Sequence, residues 1–536
     1  AAADHGIRQI GYRTENAGAV MADACARGSH KIPVITAQNG PAATLLVAGL
    51  AEALKASVPV VAIVQDVASN ATDKNAFQEL DHLDLFKGSA KWIRRVSDVS
   101  RLEDYVDMAF TAAASGRPGP AVLIVPMDVF AHETDVSRTT SRRAKLGMFP
   151  LDRVQANPSE ISKAADILAT AKAPLIIAGG GVHISGAAKA LAQLQEAASL
   201  PVATTSMGKG AVDETHPLSL GVVGYFMGTR GRTKHMRDMV TEADVVLLIG
   251  NRTNQNGTDG WTLYPEGATY IHLDVDSEEV GRNYEADVRL VGDARLALEA
   301  LNAEISSRDL TERTAARPAV EAKIAAGLAK WQDDLKIVDY EKSPVRPERM
   351  MRDLDSVLNP DTIVVADASY SSVWVSNFLT TRAAGQRIVT PRGLAGLGWG
   401  LPFAMGAKLA EPNRPVVALV GDGGFAHVWS ELETARRMNI NVVVIVLNNQ
   451  ILGYQKHGEK SAIGSYTDAC DFAPVDHAQI ARACGVDGVR IEQPDDFLPA
   501  LNAPLAADVT TVIDVVTDER AYPPVTAWEN ATALDY

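Results

Sequence analysis

Short runs of apolar, β-branched residues recur along the chain, each closed by glycine, proline or a polar turn and followed by Ala-rich, helix-compatible sequence. Ile32–Thr36, Val58–Val64 and Ala121–Val125 read as strands of a first segment that runs to about residue 130 and closes through the turn Gly116-Arg-Pro-Gly-Pro120. A polar, basic connector follows at about His132 to Lys145. A second segment starts near Pro158, with strands at Pro174–Ala178, Val245–Ile249 and Tyr270–Asp276, and ends near residue 305. A charged, Ala-rich helical stretch then leads to about Pro344, and a third segment carries strands at Pro415–Val420 and Asn441–Leu447. Strands alternating with helices, with no internal repeat of 20 to 50 residues, predict an α/β fold of three doubly wound parallel-sheet domains, at 1–135, 155–305 and 345–536.

Composition narrows the function classes. A chain of 536 residues holds roughly three domains of ordinary size. Hydrophobic residues make up 46% and charged residues 22%, which excludes disorder as the main state. With 51 basic and 66 acidic residues the net charge is -15, unsuited to a phosphate backbone, so no nucleic-acid partner is expected. Cys25, Cys470 and Cys484 are too few and too scattered for a disulfide framework or zinc site, and Cys25 and Cys484, in Ala-rich helical sequence, read as small core residues. No apolar run reaches the roughly 18 residues of a membrane span, and the first residues carry no signal-peptide pattern, so a cytoplasmic protein without membrane partners is expected.

The richest chemistry is at Gly421-Asp422-Gly423-Gly424, where an apolar strand delivers Asp422 at its carboxyl end. A second strand delivers Asn449, 27 residues later, and between the two Trp429–Met438 has helical composition, with Leu432 and Ala435 on one face and Glu431 among the polar positions elsewhere. This βαβ unit places an acid and an amide where open α/β sheets bind ligands. A hard cation such as Mg²⁺ takes oxygen ligands and commonly keeps a phosphate among them. Asp422, the Asn449 amide oxygen and a nearby carbonyl, assigned to Ile451, are the candidate metal ligands; Gly421, Gly423 and Gly424 leave backbone N–H groups open to a diphosphate.

Gly-Asp-Gly followed at this distance by Asn-Asn resembles the signature of thiamine-diphosphate (ThDP) enzymes, and the order of segments matches that family's pyrimidine-binding, middle and diphosphate-binding domains. Within the family the chain is most similar to the acetolactate synthase large subunit and its relatives. Ala76-Phe-Gln-Glu79, Gly116–Pro120 leading to Pro126–Val129, Thr205–Gly210, Ile271–Asp276 and Gly398–Pro402 carry that likeness. Family members have a strand, a helix and a Gly-Pro-Gly loop ahead of the region where this chain begins, so the first domain is expected to lack its N-terminal strand.

The resemblance implies roles by position. Glu15, in Arg13–Ala19, matches the glutamate that hydrogen-bonds N1′ of the cofactor's aminopyrimidine, promoting the imino tautomer. Leu397, after Gly396, matches the bulky residue that wedges between the cofactor's rings. Phe77 and Gln78 match the substrate side. Asp367-Ala368-Ser369-Tyr370 matches the loop over the diphosphate, with the His and Gln common there in acetolactate synthases absent. Gly180, Gly250, Arg252 and Asp274 match a nucleotide site that holds a structural FAD in acetolactate synthases; the second arginine of that motif appears here as Gln255-Asn256, and FAD, an ADP-like nucleotide and an empty relic stand open. His427 and His457 lie near the metal motif, and the adjacent His-His pair of simple pyruvate decarboxylases is absent, which favours ligation over protonation.

The expectation is a ThDP- and Mg²⁺-dependent enzyme acting on a 2-oxo acid or related carbonyl, an acetolactate synthase-like carboligase. A decarboxylase, lyase or acetyltransferase of the same family is the runner-up. A non-catalytic cofactor-binding relative is the reading from another class, opposed by the intact Glu15, Asp422 and Asn449. The family also implies a homodimer or homotetramer with active sites at the interface.

Overall fold

The structure, a computed structural model, describes residues 2–133 and 145–528, so most of the basic connector lies outside the described residues. Three separate sheets form, and every pairing within them is parallel. The first contains β1 (Val34–Ala37), β2 (Val61–Asp66), β3 (Trp92–Arg95) and β4 (Ala121–Pro126) in the order β1-β2-β4-β3. The second contains β5 (Pro174–Ala178), β6 (Val202–Thr204), β7 (Ser219–Val222), β8 (Val245–Ile249), β9 (Thr269–Asp274) and β10 (Val288–Val291), ordered β10-β9-β8-β5-β6-β7. The third contains β11 (Ile363–Ala366), β12 (Ile388–Val389), β13 (Val416–Gly421), β14 (Val443–Asn448), β15 (Asp487–Ile491) and β16 (Thr511–Val516), ordered β12-β11-β13-β14-β16-β15. Three parallel sheets clothed by helices are the predicted α/β class.

Strand order locates the ligand clefts. In the second sheet the chain winds outward from β5 through β6 and β7, then returns to β8 on the other side of β5. In the third it leaves β11 for β12 and returns to β13 on the other side of β11. Each reversal leaves a crevice beyond the carboxyl ends of two neighbouring strands. Gly179–Gly181 and Gly250–Arg252 follow β5 and β8; Asp367–Ser369 and Asp422–Gly424 follow β11 and β13.

The predicted strands form within a few residues of their expected ends. The strands left unnamed from sequence include β3 and β15, at sheet edges, where burial alternates or is partial and no continuous apolar run exists. Helix Glu15–Ser29 of the first segment packs on helix Gly400–Ala410 of the third. Small residues permit that closeness: a Cβ on Gly406 would sit 2.2 Å from the Met21 carbonyl oxygen.

Two local expectations are corrected. Glu431, placed among polar positions, is fully buried, because it accepts hydrogen bonds from the backbone N–H groups of Arg13 and Thr14 at 3.0 and 3.1 Å. Cys25 and Cys484 are only half-buried, the latter capping helix His477–Ala483, whereas Cys470 is the fully buried cysteine. No helix among the described residues is long and apolar enough to cross a membrane.

Candidate active site

Beyond β13 and β14 lies a cavity of about 600 Å³. Ala368, Ser369, Tyr370, Leu397, Gly421, Asp422, Gly423, Gly424, Asn449 and Ile451 all line it. Asp422 Oδ1 accepts from the Gly423 N–H at 2.8 Å and Oδ2 from the Gln450 N–H at 2.7 Å. Burial nevertheless pushes its pKa up to about 7, against those two N–H groups, and no cationic side chain pairs with it among the described residues. The Asn449 Oδ1 accepts from the Ile451 N–H at 3.3 Å. A buried carboxylate without a counter-charge, an amide oxygen and a peptide carbonyl make an all-oxygen donor set that fits a hard divalent cation. No group of three or more His, Cys, Asp or Glu side chains able to hold a metal occurs among the described residues.

The loop carrying Gly396 and Leu397 is fixed from both sides. Asp367, fully buried, accepts from the N–H groups of Gly398 and Trp399 at 2.9 and 3.1 Å, and burial raises its pKa to about 6 despite them. Glu52, from the first segment, accepts from Gly393, Leu394 and Ala395. Leu397 between them stays 39% exposed and projects into the cavity. Ser369 at φ 64°, Ala395 at φ 61° and Gln450 at φ 60° adopt left-handed backbone that side chains disfavour. Ser369 and Ala395 line the cavity, and Gln450 stands between its lining residues Asn449 and Ile451.

Glu15, Phe77 and Gln78 are elsewhere, since no residue before Tyr225 lines this cavity. Glu15 opens helix Glu15–Ser29, with Thr14 as N-cap accepting from Ala17 N–H at 3.3 Å. Gln78, at φ 61°, folds against the turn at Gly40: Asn39 Nδ2 donates to the Phe77 and Gln78 carbonyls at 3.3 and 3.1 Å. Phe77 is 85% exposed on the single chain.

Gly180, Gly250, Arg252 and Asp274 do meet, in a second cavity of about 130 Å³ at the β5/β8 reversal. Glycine is required there because a Cβ on Gly181 would lie 2.6 Å from the Gly250 Cα. Burial raises Asp274 to about 6 and pulls Arg252 down. Arg117, from the Gly116–Pro120 turn, closes over this region by pairing with Glu279 at 3.0 Å and Asp276 at 3.4 Å.

Three family descriptions match the chain in order: "Thiamine pyrophosphate enzyme, N-terminal TPP binding domain" over residues 1–85, "central domain" over 161–301, and "C-terminal TPP binding domain" over 367–515. The chain belongs to the thiamine pyrophosphate enzyme family. It is 33% identical over 536 residues to a probable acetolactate synthase large subunit of Methanocaldococcus jannaschii, covering 97% of this chain and 87% of that one. A probable acetolactate synthase large subunit of Methanococcus aeolicus is 32% identical, with 94% and 85% covered. The isozyme 2 large subunit of Escherichia coli is 29% identical, with 96% and 90% covered. This member of the thiamine pyrophosphate enzyme family is therefore an acetolactate synthase-like, cofactor-dependent enzyme.

Two glutamates that brace the surrounding structure have no local sequence signal: Glu52 and Glu431 join elements hundreds of positions apart, and a glutamate in a helix reads as solvated. Arg392, at the start of the Leu397 loop, lines the cavity itself and carries no role legible from its sequence position. Gly40, at φ 66°, is marked in the sequence by Asn39-Gly40-Pro41 ahead of an apolar helix, a turn signal.

Proposed function

We infer that the protein is a ThDP- and Mg²⁺-dependent carboligase acting on 2-oxo acids, of acetolactate synthase-like type. The observation that carries this reading is the buried, uncompensated Asp422 carboxylate beside Asn449 in a cavity that Leu397 enters. When bound, ThDP supplies a nucleophilic carbon and an electron sink for C–C cleavage. Asp422, the Asn449 amide oxygen and the Ile451 carbonyl hold the metal. The N–H groups of Gly423 and Gly424, with the Ala368–Tyr370 loop, take the diphosphate. Leu397 would pack against the bound cofactor and hold it in its reactive position. Glu15 holds a proton at N1′ of the aminopyrimidine, and Phe77 and Gln78 face the substrate.

Those last three residues are absent from the Asp422 cavity of their own chain, and an 85%-exposed Phe77 is an apolar ring awaiting cover. Both facts support a homodimer or homotetramer in which residues 1–135 of one copy complete the 345–536 site of another. The glycine-lined second cavity supports a nucleotide, FAD or ADP-like, in the 155–305 domain. Three free cysteines support a reducing, cytoplasmic setting. The Asp367–Tyr370 loop without the His and Gln common there in acetolactate synthases favours an acceptor or donor of its own within the same chemistry, which keeps a decarboxylase, lyase or acetyltransferase as the second reading.

The test is a panel of 2-oxo acids incubated with ThDP and Mg²⁺, with products identified by mass spectrometry. Turnover that requires both cofactors is expected; no ThDP binding and no turnover on any acid overturns the assignment.

A further inference from the structure

Arg392 lines both cavities, sharing that position with Phe226 and Asn256. Its guanidinium stands over the Phe226 ring, 5.0 Å from the centroid, and one terminal nitrogen donates to the Ser372 hydroxyl. Its Nε is buried without any partner. No carboxylate forms an ion pair with it among the described residues. The neighbouring acid, Glu52, is already committed: its oxygens serve three backbone N–H groups and the Arg27 guanidinium at 3.5 Å. Burial draws the Arg392 pKa down to about 10, with Tyr454, Glu52 and Tyr225 opposing, so the group stays charged at neutral pH.

A half-buried guanidinium with a buried, unpartnered Nε and no counter-ion is unfavourable, and its planar fork of donors suits an acceptor with two oxygens. Cavity walls supply the room. The hydrogen-bonded hydroxyls of Tyr225 and Tyr454, 2.5 Å apart, line the same active cavity and add polar surface beside it. The metal-ligand candidates Asp422 and Asn449 line that cavity and not the neighbouring glycine-lined one, whereas Arg392 borders both. The guanidinium therefore stands on the wall that the two cavities share.

Resting on the ThDP reading above, we propose that Arg392 is a specificity-determining residue that holds the carboxylate of the acid substrate in the active cavity. Charge recognition of the substrate then comes from the loop that also carries Leu397, so acid binding and cofactor geometry share one segment.

The experiment uses ThDP- and Mg²⁺-loaded protein and titration calorimetry with oxamate, an unreactive 2-oxo acid mimic, and oxamide, its neutral counterpart. Wild type is expected to bind oxamate at least about 10-fold more tightly than oxamide. Arg392→Gln is expected to weaken oxamate by about 10- to 100-fold, leaving oxamide and ThDP affinity within about 2-fold, and Arg392→Lys to recover part of the loss. Equal loss of oxamate and oxamide means that Arg392 only supports the loop, and overturns the proposal. So does a loss confined to ThDP, which assigns the guanidinium to the diphosphate, or one confined to added FAD or ADP, which assigns it to the neighbouring cavity. If Arg392→Gln does not fold, equal affinity of wild type for oxamate and oxamide overturns it. ThDP retention by wild type, measured in the same samples, reads the cofactor assignment separately.

Discussion

Glu52 Oε1 accepts a 2.8 Å hydrogen bond from the backbone N–H of Gly393, 341 residues further along the chain. Its second oxygen takes the N–H groups of Leu394 and Ala395 at 2.6 and 3.2 Å. On the other side of Leu397, Asp367 takes those of Gly398 and Trp399. Two buried carboxylates, one on helix Pro41–Ala56 and one just past β11, thus fix the few residues between them, and the position of the Leu397 side chain is a product of packing between the first and third segments.

Removing that clamp has a cost set by what it leaves behind. Glu52→Ala orphans three N–H groups and deprives Arg27 of one of its two acids, so a loss of about 3–5 kcal/mol is expected in urea unfolding. Glu52→Gln keeps one acceptor and loses less. A change below about 1 kcal/mol in Glu52→Ala shows that the clamp does not bear on stability.

The fold class was legible because β2, β4, β5, β8, β13 and β14 are buried along nearly their whole length and therefore read as unbroken apolar runs. That Asp422, Asn449 and Leu397 share one cavity was legible because each stands in a glycine-rich or strand-ending motif at the end of a predicted strand or in the loop before one. Glu52, Glu431 and Arg392 were not. Their partners are peptide N–H groups or a cavity contributed by another domain, and a side chain that is solvated in one context and buried in another has the same local sequence in both.

Asp422→Ala removes the one carboxylate among the proposed metal ligands and also relieves a buried, uncompensated charge. The variant is expected to remain folded, with stability equal to or above that of metal-free wild type, and to lose ThDP and Mg²⁺ on dialysis. Undiminished ThDP content, measured after denaturation of the dialysed protein, refutes the metal role.

Leu397→Ala tests position separately from affinity. Leu397 is 39% exposed, so its truncation is expected to alter stability by only about 1 kcal/mol. Loss of the wedge is expected to slow exchange of the cofactor's C2 proton by about 10² while ThDP stays bound. An NMR exchange rate equal to wild type assigns Leu397 to packing alone.

One expected contribution to acid stability comes from His272, which is fully buried on β9. Its Nε2 donates to the Asn251 carbonyl at 3.0 Å, and its Nδ1 accepts from the Gly281 N–H at 3.2 Å, so the ring is held neutral in one tautomer. Burial lowers its pKa from 6.5 to about 4. Between those values the unfolded chain binds the extra proton, so stability falls as pH drops from about 6.5 towards 4, by about 1.4 kcal/mol per pH unit for this group. His272→Gln, which keeps a donor and an acceptor but does not titrate, is expected to flatten the urea-midpoint profile by that share. An unchanged slope shows that His272 does not govern it.

Assembly is tested by complementation. Glu15, Phe77 and Gln78 lie outside the Asp422 cavity of their own chain, and that cavity contains no residue before Tyr225. If a second copy supplies them, Glu15→Ala and Asp422→Ala proteins are each inactive for a different half of the site. In a mixed dimer, one site inherits both mutations and the other inherits neither, so half the sites in mixed dimers become competent. With random exchange at equal concentrations, about half of all dimers are mixed, and activity near one quarter of wild type is expected. The interface needed to hold such a site together permanently is above about 2,000 Å², so a stable dimer or tetramer is expected in analytical ultracentrifugation. An active monomer, or no recovery after subunit exchange demonstrated by mass spectrometry, shows that one chain builds the whole site by closing its first domain over its third.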